Sequence, residues 1–285
     1  MTNPEWFDNA LAEEREDIFL DLNGVNIHYS LWGDSEKPGI VFVHGYSANT
    51  NWWDFIAPHF LQDYSVVAID LSGNGLSDHR SEYSQSIYAD EFKSVINHLG
   101  WKNATFIAHS MGGSISLKAA SIYPEVFKEL ILLDSIVVVP PDKAMSFSKS
   151  MVRADFYYET LESASESFRL IPPQPCKNDF ILNYIAENSF VETTDGWRLK
   201  SDGKIMKTYK SSDLTDILMH PPCPVYLVYG LMSQIFSTDL LEYTKYVGNI
   251  PDERIVGVPG AMHHLFIDQP LNVIKELKKI LGVMK

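Results

Sequence analysis

Apolar residues along this chain follow two rhythms, a short run or alternation and a spacing near 3.6 residues, and the two trade places from one end to the other. Residues 18–22 and 25–32 alternate apolar and polar side chains around Asn23-Gly24. Both positions of a two-residue hairpin turn need positive φ, which Asn and Gly tolerate best, so this pattern predicts an opening antiparallel pair of strands. Four short apolar runs follow, at 40–43, 65–69, 104–108 and 129–133. Between them, 87–99 and 111–122 have helical spacing. Strands that are apolar on both faces, separated by helices, predict a parallel sheet covered on both sides. Residues 1–17 are acidic and read as a helix or a loose lead-in.

The rhythm breaks after Val139. Pro140-Pro141 opens a stretch of mostly helical pattern with Pro172, Pro173 and Pro175 inside it, and Pro221, Pro222 and Pro224 close it. Proline ends regular elements, so the clusters mark the edges of an insert. The strand–helix pattern then resumes, with strands at 225–229 and 254–258 and helices at 239–247 and 271–281. The expected organisation is a core domain of residues 1–139 and 221–285 carrying a helical cap of residues 140–220. Met145, Phe147, Met151, Phe156, Tyr157, Tyr158, Phe168 and Phe180 enrich the cap in large apolar side chains. Most belong to the cap's own packing, and a few are expected to form an apolar substrate pocket.

Composition narrows the possible partners. The 285 residues are 45% hydrophobic and 21% charged, as in a globular protein with a sizeable core. Lys and Arg number 23 against 37 Asp and Glu, a formal charge of −14, which disfavours nucleic acid and anionic lipid surfaces. No run is long enough to span a membrane, and the acidic N-terminal segment does not read as a secretion signal. Cys176 and Cys223 lack metal-ligand spacing and fit reduced thiols, so a cytoplasmic location is expected. No metal or nucleotide cofactor is implied, because Gly73-Asn74-Gly75 is too short for a dinucleotide fingerprint. Oligomeric state is not legible.

The chemistry concentrates at Ala108-His109-Ser110-Met111-Gly112-Gly113, which follows an apolar strand and opens a helix. A serine on so sharp a turn is held in strained backbone geometry with its hydroxyl thrust above the sheet edge, and the crowding demands small residues two before and two after it. Ala108 and Gly112 meet that demand, with alanine where glycine is usual. The plainer alternative is a glycine-rich junction with a buried serine.

With these residues the chain resembles the α/β-hydrolase superfamily, over nearly all of its length outside the cap. His44-Gly45-Tyr46 resembles the family's oxyanion-loop motif, and residues 70–78 its D-x-x-G-x-G-x-S turn. Residues 260–270 resemble its late histidine loop. The resemblance implies an α/β fold with a mostly parallel eight-stranded sheet, helices on both faces and an inserted helical cap. It implies Ser110 as nucleophile, His263 as base with His264 a packing neighbour, and the backbone N–H groups of Tyr46 and Met111 as the oxyanion hole. The usual acid position falls on Ser233, which cannot carry the charge, and Asp239 lies six residues further, in a helical stretch. Some members place the acid after the preceding strand, where Asp134 stands; a dyad or a water in the acid's place are the alternatives. The implied reaction is hydrolysis of a small-molecule carboxylic ester or lactone through an acyl-enzyme. Carbon–carbon bond hydrolysis, or a hydrolase-like ligand receptor with little turnover, are the other readings. Serine rather than aspartate at the elbow argues against the dehalogenase and epoxide-hydrolase branches.

Overall fold

The structure, a computed structural model, describes residues 2–34, 36–141 and 156–284. Met145, Phe147 and Met151, assigned to the cap by composition, lie outside the described residues. A first helix, α1 (Glu5–Leu11), precedes the hairpin of β1 (Glu16–Asp21) and β2 (Asn26–Trp32). The hairpin turns on Asn23 (φ 57°) and Gly24 (φ 83°), the left-handed pair that the sequence demands there. Next come β3 (Gly39–Val43), β4 (Ser65–Ile69), α2 (Gln85–His98), β5 (Ala104–His109), α3 (Met111–Ile122) and β6 (Phe127–Leu133). Helix α2 starts ahead of its apolar pattern because the Ser84 hydroxyl caps it, accepting from the Ile87 N–H at 3.2 Å.

The capping region contributes α4 (Leu161–Ser167), α5 (Asp179–Asn188), a ribbon of β7 (Phe190–Thr193) and β8 (Gly196–Leu199), and the short helices α6 (Ile205–Thr208) and α7 (Thr215–Met219). The chain closes with β9 (Val225–Gly230), α8 (Thr238–Gly248), β10 (Ile255–Val258), α9 (Leu265–Asp268) and α10 (Pro270–Ile280). The ribbon departs from the helical expectation. Its strands have four residues each, too few to show a period, and Asp195-Gly196 is the turn signal that betrays it.

The main sheet has eight strands in the order β1-β2-β4-β3-β5-β6-β9-β10. β1 pairs with β2 and β2 with β4 antiparallel, and every other pairing is parallel. Alternation along each strand feeds two apolar layers. Val41, Val67, Phe106 and Leu130 face α2 and α3, among them Phe92, Ile96 and Ile115. Ile40, Val66, Ile107 and Ile131 face the opposite layer, with Phe7 of α1 and Val273 and Leu277 of α10. Ala164, Ile181, Ile185 and Phe190 of the capping region belong to this second layer too. These elements therefore rest on the same core as the sheet. Each such buried aliphatic or aromatic side chain contributes about 1.5–3 kcal/mol.

Candidate active site

Ser110 occupies the bend between β5 and α3 with φ 53° and ψ −121°, a left-handed backbone that serine rarely adopts. The bend is pinned on both sides, by the Ser110 N–H donating to the Leu133 carbonyl at 3.1 Å and the Gly113 N–H to the Ser110 carbonyl at 3.0 Å. Close packing explains the small residues. A Cβ on Gly112 would lie 2.5 Å from the His44 carbonyl oxygen, and one on Gly45 would lie 3.1 Å from the Ser110 Cβ. The loop after β3 therefore runs against the serine at Gly45, and Tyr46 is the next residue of that loop. Met111 begins α3, so its N–H belongs to the helix N-terminus, where amides favour negative charge. Ser110 itself is half-buried, and its hydroxyl is not sealed in the core.

His263 lies in the loop between β10 and α9, with its Nε2 3.0 Å from the Ser110 Oγ. Its Nδ1 is 2.9 Å from Asp134 Oδ1. A carboxylate only accepts, so Nδ1 donates and Nε2 is left to accept the serine hydroxyl proton. Asp134 follows β6 and is buried, yet its oxygens are satisfied. The Gly230 N–H donates to Oδ2 at 2.9 Å, and the Ser233 hydroxyl to Oδ1 at 2.8 Å. Ser233, the position where a carboxylate is usual in the resembled family, thus holds a carboxylate supplied by the neighbouring strand. The structure brings Ser110, His263 and Asp134 into one hydrogen-bonded line, with Met111 directly after the serine and Tyr46 directly after Gly45, which packs against it. Asp239 is inside α8.

The histidine loop is fastened from several sides. Asp268 accepts from the Met262 N–H at 2.7 Å, and Gln174 donates to both Asp268 oxygens at 3.0 Å while accepting from the His264 N–H at 3.0 Å. Asn178 adds a bond to the Ile267 carbonyl at 2.7 Å. Sequence reasoning missed Gln174, since nothing in a proline-rich stretch marks a residue that reaches across to another loop. It also missed His109, whose Nε2 is 3.0 Å from the His263 carbonyl oxygen. Burial, reinforced by the neighbouring His263 and His264, holds the His109 pKa well below the usual histidine value. His264 is lowered for the same first reason and then by His263, with the Pro172 and Ile171 carbonyls opposing. Both rings therefore stay neutral beside His263 near neutral pH. Among the described residues, His109, His263 and His264 form the one cluster of metal-ligating side chains, with ligand atoms within 4.8 Å of one another. Spacing along the chain does not reveal this cluster; folding assembles it. His263 spends both ring nitrogens on Ser110 and Asp134, so the residues suit proton transfer better than a resident ion. No helix among the described residues is long and apolar enough to cross a membrane.

Comparison with known proteins agrees with this fold. A family model described as the α/β hydrolase fold matches residues 38–169. A zebrafish (Danio rerio) protein called serine hydrolase-like is 27% identical over 191 residues, 61% of this chain and 58% of that protein. Epoxide hydrolase 1 of Caenorhabditis elegans is 35% identical over 116 residues, 40% of this chain and 29% of its own length. The chain thus spans less than two thirds of these relatives. A crystal structure of E-2-(acetamidomethylene)succinate hydrolase superposes with a TM-score of 0.80 at 22% identity, covering 94% of this chain and 100% of the other. With its eight-stranded sheet, its serine on the β5–α3 bend and this match over part of its length, the chain has the α/β-hydrolase fold.

Proposed function

We propose that the chain is a serine hydrolase that cleaves a small-molecule carboxylic ester or lactone. The observation that carries this reading is the unbroken line from the Ser110 Oγ through the His263 ring to Asp134, with contacts of 3.0 and 2.9 Å. Ser110 attacks the carbonyl carbon while His263 Nε2 takes its proton. Asp134 holds the ring's tautomer and stabilises the imidazolium that forms. The N–H groups of Met111 and Tyr46 donate to the developing oxyanion. The carbon–oxygen bond then breaks, and the alcohol leaves with the proton from His263. Water, deprotonated by the same ring, cleaves the acyl-enzyme and frees Ser110 and the acid.

Serine at the elbow favours this route over that of the epoxide hydrolases, which use a carboxylate nucleophile, despite the partial likeness to one of them. The receptor reading draws on the serine at position 233; the Asp134 carboxylate beside that serine supports turnover instead. A fluorophosphonate probe followed by intact-mass measurement tests the proposal. One adduct on the wild-type chain, absent in Ser110→Ala, is expected. An unlabelled wild-type protein that is folded overturns it, and a labelled protein that turns over no ester or lactone points to carbon–carbon cleavage.

A further inference from the structure

A cavity of about 220 Å³ opens beside Tyr46, under the ribbon of β7 and β8. Tyr46 lines it and follows Gly45, the residue that packs against Ser110, while Ser110 itself is not among the lining residues. Its size is below the roughly 300–1,000 Å³ of pockets for drug-sized ligands, so it suits one small group of a substrate. Tyr158, Phe168 and Phe190 give it the apolar character expected of the cap. That expectation omits two cations on the same wall, Arg169 and Arg198, with no acidic side chain among the described lining residues. In a chain with 37 acidic and 23 basic side chains, a cavity so lined runs against the overall charge.

The ribbon explains how Arg198 keeps its charge available. The antiparallel register sets Arg198 opposite Val191 and sets Glu192 opposite Trp197. Successive residues of a strand point to opposite faces, so Glu192 shares the face of Phe190 and Leu199 rather than that of Arg198, and it is not among the residues that line the cavity. Among the described residues the Arg198 guanidinium has one hydrogen bond, from Nη1 to the Leu199 carbonyl at 2.9 Å. A guanidinium carries five N–H donors, so most of its fork is open to a ligand. Arg169, just after α4, is anchored by Nη1 bonds to the Glu166 and Phe168 carbonyls, at 2.7 and 2.6 Å.

We infer that this cavity binds a carboxylate of the substrate, so that the molecule cleaved at Ser110 carries an anionic group beyond its scissile bond. Planar carboxylate oxygens match the guanidinium fork, and the aromatic walls strengthen the attraction by excluding water. The substrate half of the inference rests on the hydrolase reading; the anion site stands without it.

Calorimetric titration of the Ser110→Ala chain tests the site with two pairs of isosteres. Phenyl hydrogen glutarate and its terminal amide place the charge on the acyl side, and 4-acetoxybenzoate and 4-acetoxybenzamide place it on the alcohol side. At least one carboxylate should bind about tenfold or more tightly than its amide, the scale of one charge-assisted hydrogen bond. The gap should shrink in about 0.5 M NaCl, and Arg198→Gln should bring it within about twofold while Arg198→Lys keeps part of it. Equal binding of carboxylate and amide in both pairs overturns the inference. So does an undiminished gap in a folded Arg198→Gln chain. Should that variant fail to fold, the salt titration decides on the Ser110→Ala chain itself, a salt-insensitive gap overturning the inference. Fluorophosphonate labelling of the wild type reads the other half separately. A labelled protein without carboxylate preference retires the anion site alone, and a preference with Ser110 unlabelled retires the hydrolase reading alone.

Discussion

The bend that carries Ser110 and the ribbon that carries Arg198, which lines the cavity beside Tyr46, are held in place by different forces. At the bend, main chain packs on main chain: the Gly112 Cα faces the His44 carbonyl so closely that no other side chain fits, and a hydrogen bond from the Ser110 N–H ties the turn to β6. In the ribbon, every residue of β8 is half-buried, each strand has four residues, and the Arg198 side chain is fixed by one bond to a backbone oxygen. Where backbone geometry dictates the residue, substitution costs stability and chemistry together. Where a side chain merely projects from a short ribbon, the same scaffold accepts another residue and another substrate.

Substitutions sharpen that contrast. The largest effect is expected at the bend: Ser110→Ala and His263→Ala should each lower ester kcat/KM by about 10⁴-fold or more in steady-state assays. Asp134→Asn should come close to that figure, because it leaves the imidazole in the wrong tautomer. The double variant Asp134→Asn with Ser233→Asp should recover part of the loss, and a double variant no faster than the single one would show that position 233 cannot take over. Gly112→Ala should cost about 1–3 kcal/mol in urea unfolding, since its Cβ meets backbone atoms that cannot step aside.

A pH effect comes next in size. His109 and His264 are buried with lowered pKa values, so below the ordinary value of 6.5 the unfolded chain binds protons that the folded chain refuses. Stability is therefore full above that pH and falls as pH drops below it, by about 1.4 kcal/mol per pH unit for each ring. Denaturant melts between pH 5 and 7.5 should show the slope, and His264→Phe should flatten it by one ring's share. The smallest effect belongs to the ribbon: Arg198→Ala should change unfolding free energy by no more than about 0.5 kcal/mol, as at ordinary surface sites. A large loss there would show that the ribbon is as constrained as the bend.

The same contrast governs what could be read from residues alone. The parallel sheet, the hairpin at Asn23-Gly24 and the bend at Ser110 were legible because each leaves a local mark: an apolar run, a turn pair, small residues around a serine. Met262-His263-His264 was legible as a motif, while the fastening of its loop by Gln174 was not, because that bond joins segments 90 residues apart. The β7–β8 ribbon escaped because four residues cannot distinguish two periods. The two arginines escaped for a different reason. A charged residue in an exposed stretch reads as a solvated surface until the fold shows what it faces.

The hydroxyl at position 233 also restricts how this architecture can vary. It touches the Asp134 carboxylate at 2.8 Å. A second carboxylate in that place would meet the first at contact distance, and like charges so close cannot both stay ionised. The two strand ends are thus mutually exclusive seats for one negative charge. A chain of this kind that moves its acid from one seat to the other passes most easily through a neutral hydrogen-bonding residue at the vacated seat, and a lone serine there directs attention to the adjacent strand end.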